Sequence, residues 1–334
     1  MNYRPLGRTG VRVSPLCLGT MMFGGPTSEA DSIRIIHKAL DAGINFVDTA
    51  DMYVSGESER VVGKAITARR ESVVLATKGR NKMGEGPNDW GASRLHLRQA
   101  LDASLARLAT DYIDLYYVHA PDYGTPIDET LRFLDDAVRQ GKILYPACSN
   151  FRAWRVCEAL CTSDRLGLAR FAAVQPLYNL VNRDIEVELL PLCHEHGLGV
   201  VSYSPLARGI LTAKYKPGEK FPEGSRAARN DLRMRQAELR DESLVISQQL
   251  AEHCAAKGCP PSQFALAWCL ANPIITSVIL GPRTMEQFDD NLAALEVAIT
   301  RDDESFVDRL VPPGDHSGKG FNDPNYPVIG RPAK

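Results

Sequence analysis

Three short apolar runs end in residues that can carry chemistry: FVD in Asp48, VVLATK in Lys78 and DLYYVH in His119, with Tyr53 five positions beyond Asp48. A free tyrosine titrates at about 10, too high to exchange protons readily at neutral pH. A neighbouring ammonium favours the phenolate, and a carboxylate beside a half-buried lysine keeps that lysine charged. The residue types therefore compose a chain of influence. Asp48 holds Lys78 protonated, Lys78 tunes Tyr53, and Tyr53 becomes a usable general acid/base. His119 can donate a hydrogen bond to a substrate oxygen and orient it. None of the four is a strong nucleophile with its own base, which argues against acyl transfer. A phenol set to protonate an oxygen suits carbonyl reduction, with hydride supplied by a cofactor.

Such residues meet only if the runs that carry them are neighbouring strands ending at one level. Strands are expected over 16–19, 45–49, 73–78, 113–119, 143–149, 172–176, 200–204 and 277–281. Amphipathic stretches between them predict helices over 29–42, 57–68, 93–108, 128–140, 153–162, 185–196, 241–257 with 261–271, and 285–298. Gly43 reads as the residue closing the first helix, and Ser93 and Asp128 as N-caps. Eight strands, each followed by a helix, is the count of an α/β (β/α)8 TIM barrel, whose active site lies at the carboxyl ends of the strands. One domain then spans 1–334. Residues 1–15 form an N-terminal β-hairpin turning at Arg8–Gly10, and 312–334 a Pro/Gly-rich extended C-terminal tail. Residues 207–240 make a long connection on the cofactor side, carrying Lys214, Lys216, Lys220, Arg226, Arg229 and Arg233; connections this long are usually functional.

Composition excludes several classes. The 334 residues are 44% hydrophobic and 24% charged with a net charge of −2, so no global field attracts nucleic acid or an anionic membrane. No apolar run reaches the roughly 18 residues of a membrane helix. The opening MNYRPLGRTG lacks the features of a secretion signal, and the eight cysteines hold no C-x-x-C pair. Cys157 and Cys161 lie a helical turn apart without a nearby histidine, which suits packing rather than metal. A cytoplasmic protein with reduced thiols and no metal is expected. No strand-linked G-x-G-x-x-G appears, which disfavours a Rossmann dehydrogenase.

The segments DTADMYVSGESERVVGKAI, ATKGR, LYYVHAPD, SNF, QPLYN, YSPLARGILTAKY and ILGPRTMEQFDDNL, in this order, resemble the aldo-keto reductases. The resemblance runs from the hairpin to the last helix. It implies the barrel already inferred, and NADPH, less often NADH, used to interconvert carbonyls and alcohols without a metal. It implies a catalytic tetrad of Asp48, Tyr53, Lys78 and His119. Gly19, Thr20, Met21 and Asp48 would line the cofactor; Ser149, Asn150 and Gln175 would hold the nicotinamide carboxamide, and Tyr203 would stack on its ring. Ser204, Leu206, Arg208 and Gly209 would wrap the pyrophosphate. Gly281, Arg283, Gln287 and Asn291 would meet the adenosine end, Arg283 taking the 2′-phosphate. Glu57 and Glu59 read as complements to a helix N-terminus.

The chain departs from the family pattern in places. Val54-Ser55 stand where many relatives have glycine, GPR replaces the commoner GAR, and Asp290 replaces a common glutamate before Asn291. Phe23, Tyr53, Trp90, His119 and Tyr123 would line the substrate mouth, an apolar wall that suits an aromatic or alicyclic carbonyl. The partner expected is a small-molecule substrate; oligomeric state is unreadable from the sequence. The rival to an enzyme is an NADPH-binding regulatory subunit resembling the β subunits of potassium channels.

Overall fold

The computed structural model describes residues 1–318 and 323–327. By backbone contacts, residues 1–176, 188–203 and 273–289 form one compact unit, and residues 177–187, 204–272, 290–318 and 323–327 form a second. In the first, β1 (Arg4–Pro5) and β2 (Arg12–Val13) pair antiparallel, and the Leu6 amide donates to Val11 O at 2.9 Å. The expected turn at Arg8–Gly10 lies in the connection between them. Gly7 has φ +56°, and a Cβ there would stand 2.6 Å from Gly197 O and Gly199 N. Only glycine lets the hairpin approach that closely.

The barrel strands are β3 (Leu16–Gly19), β4 (Phe46–Asp48), β5 (Val74–Gly79), β6 (Ile113–Val118), β7 (Ile143–Ser149), β8 (Ala173–Gln175), β9 (Gly199–Ser202) and β10 (Ser277–Leu280). All neighbours pair parallel, and β10 closes the ring on both β9 and β3. Strands covered on both faces read as continuous apolar runs, which is why they were visible in the sequence. Cys17, Phe46, Ala76, Leu115, Tyr117, Ala147, Ala173 and Val201 cluster with Leu6 and Val13 of the hairpin, all fully buried. Each large side chain among them contributes about 1.5–3 kcal/mol by leaving water.

Helices α1 (Glu29–Asp41), α2 (Glu57–Ile66), α3 (Arg94–Leu108), α4 (Ile127–Arg139), α5 (Ala153–Leu166) and α6 (Leu189–His196) belong to this unit. Ser93 caps α3, accepting from the His96 amide at 3.3 Å. Asp128 is not a cap: α4 starts a residue earlier behind Pro126, and Asp128 lies in its first turn, where it complements the helix dipole. Gly43 closes α1 with φ +87°, as expected. The eight cysteines are free; Cys161 on α5 faces solvent instead of packing.

The second unit holds α7 (Leu232–Ala237), α8 (Asp241–Lys257) and α9 (Pro261–Ala271); α10 (Met285–Leu292) crosses the division, and α11 (Arg301–Leu310) follows. The long connection therefore contains a short helix, and α10 stops before the expected 298. The sequence reading missed α11, which buries only Asp303 and Val307 and so shows no apolar stripe. Arg183 ties this unit together, donating to Glu186 at 2.9 and 3.0 Å, Asp308 at 2.8 Å and Val311 O at 2.7 Å. Residues 312–318 and 323–327 form no helix or strand; the remainder of the expected tail lies outside the described residues.

Candidate active site

Parallel pairing sets Asp48 beside Gly19 and Ala76, and Lys78 beside Tyr117, so β3 to β6 end at adjacent levels. Lys78 is fully buried and ion-pairs with Asp48 Oδ1. Its ammonium also donates to Thr49 O at 2.7 Å and to the Tyr53 hydroxyl at 3.5 Å. The Tyr53 and His119 rings meet edge to face, 5.9 Å between centroids. The four residues singled out by type and spacing are thus brought together on one side of the barrel mouth.

Their electrostatics follow from burial and neighbours. Burial pulls Lys78 toward losing its proton, but the Asp48 carboxylate and the Tyr53 hydroxyl more than reverse this, and its pKa lies above the usual lysine value. Burial raises the Asp48 carboxyl above its ordinary value, while Lys78 and the Gln175 amide pull it back. The pair titrates as a unit, with the proton on Lys78. His119 is held well below the usual histidine value, by burial first and then by the Lys78 and Arg80 charges. It is a neutral imidazole at pH 7, and its Nδ1 is buried without a hydrogen-bond partner.

A single hydrogen-bond network extends from this cluster. Gln175 Nε2 donates to Asp48 Oδ2 at 2.8 Å, Ser149 Oγ to Gln175 O at 2.9 Å, and Asn150 Nδ2 to Ser149 Oγ at 2.9 Å and His119 O at 3.0 Å. The Tyr203 hydroxyl donates to Asn150 Oδ1 at 2.8 Å. The residues expected at a nicotinamide therefore also brace Asp48 and the His119 backbone. Thr20 hydrogen-bonds Asp48 O and Ser58, Met21 is exposed, and a Cβ on Gly19 would stand 2.5 Å from Ile279. Arg283 is half-buried, its amide donating to Gln287 Oε1 at 2.8 Å; among the described residues its guanidinium makes no hydrogen bond or ion pair. Gly281 has open space around it.

Ser204, Leu206, Arg208, Gly209 and Asn291 belong to the second unit. Ser204, Ala207, Arg208 and Gly209 have φ of +55°, +46°, +54° and +98°. Non-glycine residues enter that region at a cost of about 1–2 kcal/mol each. Strain of this kind collects at ligand-binding turns, and turns that alternate hand aim backbone N–H groups at anions. That local geometry fits a phosphate. Arg208 Nε lies 2.7 Å from the buried Glu238 carboxylate. Asp290 accepts from Ser262 at 2.6 Å and Gln263 at 2.9 Å, which occupies both its oxygens.

Val54 and Ser55, the departure from glycine, both sit at positive φ, +48° and +54°. Glycine is the natural tenant of such positions; here Val54 instead packs against Gly25, where an added Cβ would meet it at 2.9 Å. Of the proposed substrate wall, Trp90 and Tyr123 are exposed, Tyr123 stacking on Trp154, whereas Phe23 has no exposed surface.

Three residues escaped the sequence reading. Glu59 does more than complement a helix start: fully buried, it accepts from Thr77 at 2.5 Å and Arg107 at 2.6 Å. Glu57 is exposed and pairs with Arg60, as expected of a first-turn acid. Asp51, two residues before Tyr53, is buried, and no side chain hydrogen-bonds its carboxylate. Arg80, two residues past Lys78, has φ +121°. The one available signal for Glu59 was its helical spacing from the apolar Val62 and Ile66.

Among the described residues no cluster of three or more His, Cys, Asp or Glu is arranged to hold a metal, and no helix is long and apolar enough to cross a membrane. The sequence model of the aldo/keto reductase family matches residues 15–311. A Bacillus subtilis (strain 168) protein named an uncharacterized oxidoreductase is 38% identical over 333 residues, covering 96% of this chain and 99% of that protein. Two proteins named probable voltage-gated potassium channel subunit beta, from Oryza sativa subsp. japonica and Arabidopsis thaliana, are each 38% identical over 306 residues, 89% of this chain and 92% of theirs.

Proposed function

Because the chain belongs to the aldo/keto reductase family and is an oxidoreductase by its relatives, we propose that it reduces aldehydes or ketones to alcohols, reversibly, with NADPH preferred over NADH. The observation that carries this reading is the buried Lys78 ammonium, held between the Asp48 carboxylate and the Tyr53 hydroxyl. The nicotinamide, when bound, supplies the hydride. Tyr53 hands its proton to the carbonyl oxygen, and the fixed Lys78 charge stabilises the negative charge that develops on the phenol oxygen. Neutral His119 offers an N–H to the same oxygen and orients it. Asp48 keeps the ammonium charged in a dry site, where water would otherwise be needed to do so.

Ser149, Asn150, Gln175 and Tyr203 would hold the nicotinamide end, the turn at 204–209 the pyrophosphate, and Arg283 the 2′-phosphate through its bidentate fork. Gly281, Gln287 and Asn291 would complete the adenosine end. Free cysteines suit a cytoplasmic enzyme. The test is Tyr53→Phe. Its turnover should fall by about 10²–10⁴-fold, the usual worth of a general acid, with NADPH affinity within about twofold. Turnover at the wild-type rate would remove Tyr53 from the mechanism.

The two channel-subunit relatives favour a second reading, in which the same site senses redox state for a partner protein. Steady-state kinetics separate the two. Many turnovers per site mark the enzyme, and a single slow oxidation of bound NADPH marks the sensor.

A further inference from the structure

Arg80 is a bulky residue in a conformation that favours glycine, φ +121°, one position past the end of β5. Such outliers persist where the surroundings enforce them, and they gather at functional sites. Its carbonyl accepts from the Gly91 amide at 2.8 Å, and the preceding residue, Gly79, accepts from the His119 amide at 2.9 Å. The strained backbone is thus pinned between the 81–91 loop and the strand end that carries His119.

The guanidinium is only partly used. One nitrogen donates to Pro121 O at 3.0 Å, Nε is buried without a partner, and the group lies 5.9 Å from the Trp90 ring centroid. Among the described residues it has no ion-pair partner. The nearby Asp122 carboxylate is already taken by the amides of Ala92 and Gly124 and the Thr125 hydroxyl. Arg80 and Trp90 line an open depression with Lys82, Glu85, Gly86 and Pro87. Lys82 and Glu85 pair with each other at 2.6 Å, so among the lining charges Arg80 is the one without an ion pair, its charge also favouring the ionised form of the nearby Asp122 carboxylate. The same charge reaches His119, where it helps keep the imidazole neutral.

We propose that Arg80 determines substrate specificity by receiving an anionic group, a carboxylate or phosphate, carried by the carbonyl substrate, with Trp90 flanking the substrate's apolar body. A guanidinium with donors to spare beside an aromatic face makes a charge-assisted hydrogen bond to an oxyanion. The assignment rests on the reductase reading, and it refines the expected aromatic or alicyclic carbonyl into one that bears a negative charge.

Two measurements test it. The first compares kcat/KM for 3- and 4-carboxybenzaldehyde with that for their methyl esters, in wild type, Arg80→Gln and Arg80→Lys, with formylphenyl phosphate as the phosphate arm. The preference for acid over ester should fall about tenfold or more in Arg80→Gln, the scale of a charge-assisted bond, and be partly restored in Arg80→Lys. The arm with the larger ratio identifies the anion. The second is calorimetric titration with benzoate and benzamide, which needs no turnover. Benzoate should bind wild type about tenfold more tightly than Arg80→Gln, and benzamide should not distinguish them. Arg80→Gly, which relieves the backbone, should match Arg80→Gln in both measurements and melt no lower than wild type. An unchanged acid-to-ester ratio, or benzoate binding indifferent to Arg80, overturns the proposal. Arg80-dependent benzoate binding without any turnover would sustain the anion site and overturn the reductase reading instead.

Discussion

Asp51→Asn should gain stability relative to wild type as the pH rises. Asp51 is fully buried two residues before Tyr53, and no side chain hydrogen-bonds its carboxylate. Burial raises its pKa from 3.8 to about 7, and the Glu59 carboxylate adds to the rise; the Met52 amide, Arg107 and Lys78 offset only part of it. Between about pH 4 and pH 7 the folded chain therefore keeps a proton that the unfolded chain has lost, and stability falls as pH rises through that window. The rise is about 3 pH units at 1.36 kcal/mol each, so the loss totals about 4 kcal/mol. Roughly two-thirds of it falls between pH 5 and pH 8.

Asparagine has the same shape and no proton to lose, so any constant cost of its buried amide cancels when one variant is compared at two pH values. Urea unfolding followed by tryptophan fluorescence at pH 5 and pH 8 reads the difference. The stability gap between the Asp51→Asn variant and wild type should shift in the variant's favour by about 2–3 kcal/mol on going to pH 8. Parallel profiles, with a shift below about 0.5 kcal/mol, would refute the claim that a buried, unpaired carboxyl ionises there.

Other expectations follow from the same geometry. Arg283→Ala should weaken NADPH binding about tenfold or more, the loss of a bidentate phosphate contact, while NADH changes less than about twofold; fluorescence titration with equal losses for both would remove the 2′-phosphate role. Arg107→Gln should destabilise the fold by about 3–5 kcal/mol, because it strands the fully buried Glu59 carboxylate. A loss below about 1 kcal/mol in urea unfolding would mean that the Arg107–Glu59 pair does not hold the fold together.

The barrel was legible because parallel strands covered on both faces leave long apolar runs, and the polar residue ending each run marks the mouth. Asp48, Lys78 and His119 needed no more than that. What stayed hidden depends on backbone angles or on burial of charge, neither of which has a local sequence signature. Arg80 looks like any loop arginine until its φ is known. Glu59 looks like a first-turn acid until Thr77 and Arg107 close on it. Val54 and Ser55 registered only as missing glycines, and the structure shows both in glycine's conformation. Helix α11 had a local sign after all, the capping box of Thr300 with Asp303; its polar surface masked the helix.

In the proposed reaction hydride passes to a carbonyl while Tyr53 supplies the proton. The direct measurement incubates the protein with NADPH fully deuterated at C4 and an aromatic aldehyde in ordinary water, then locates the label in the alcohol by mass spectrometry and NMR. A single deuterium on the carbinol carbon, formed by wild type and almost lost in Tyr53→Phe, is the predicted result. An unlabelled alcohol, or deuterated product formed equally fast without the phenol, would contradict it.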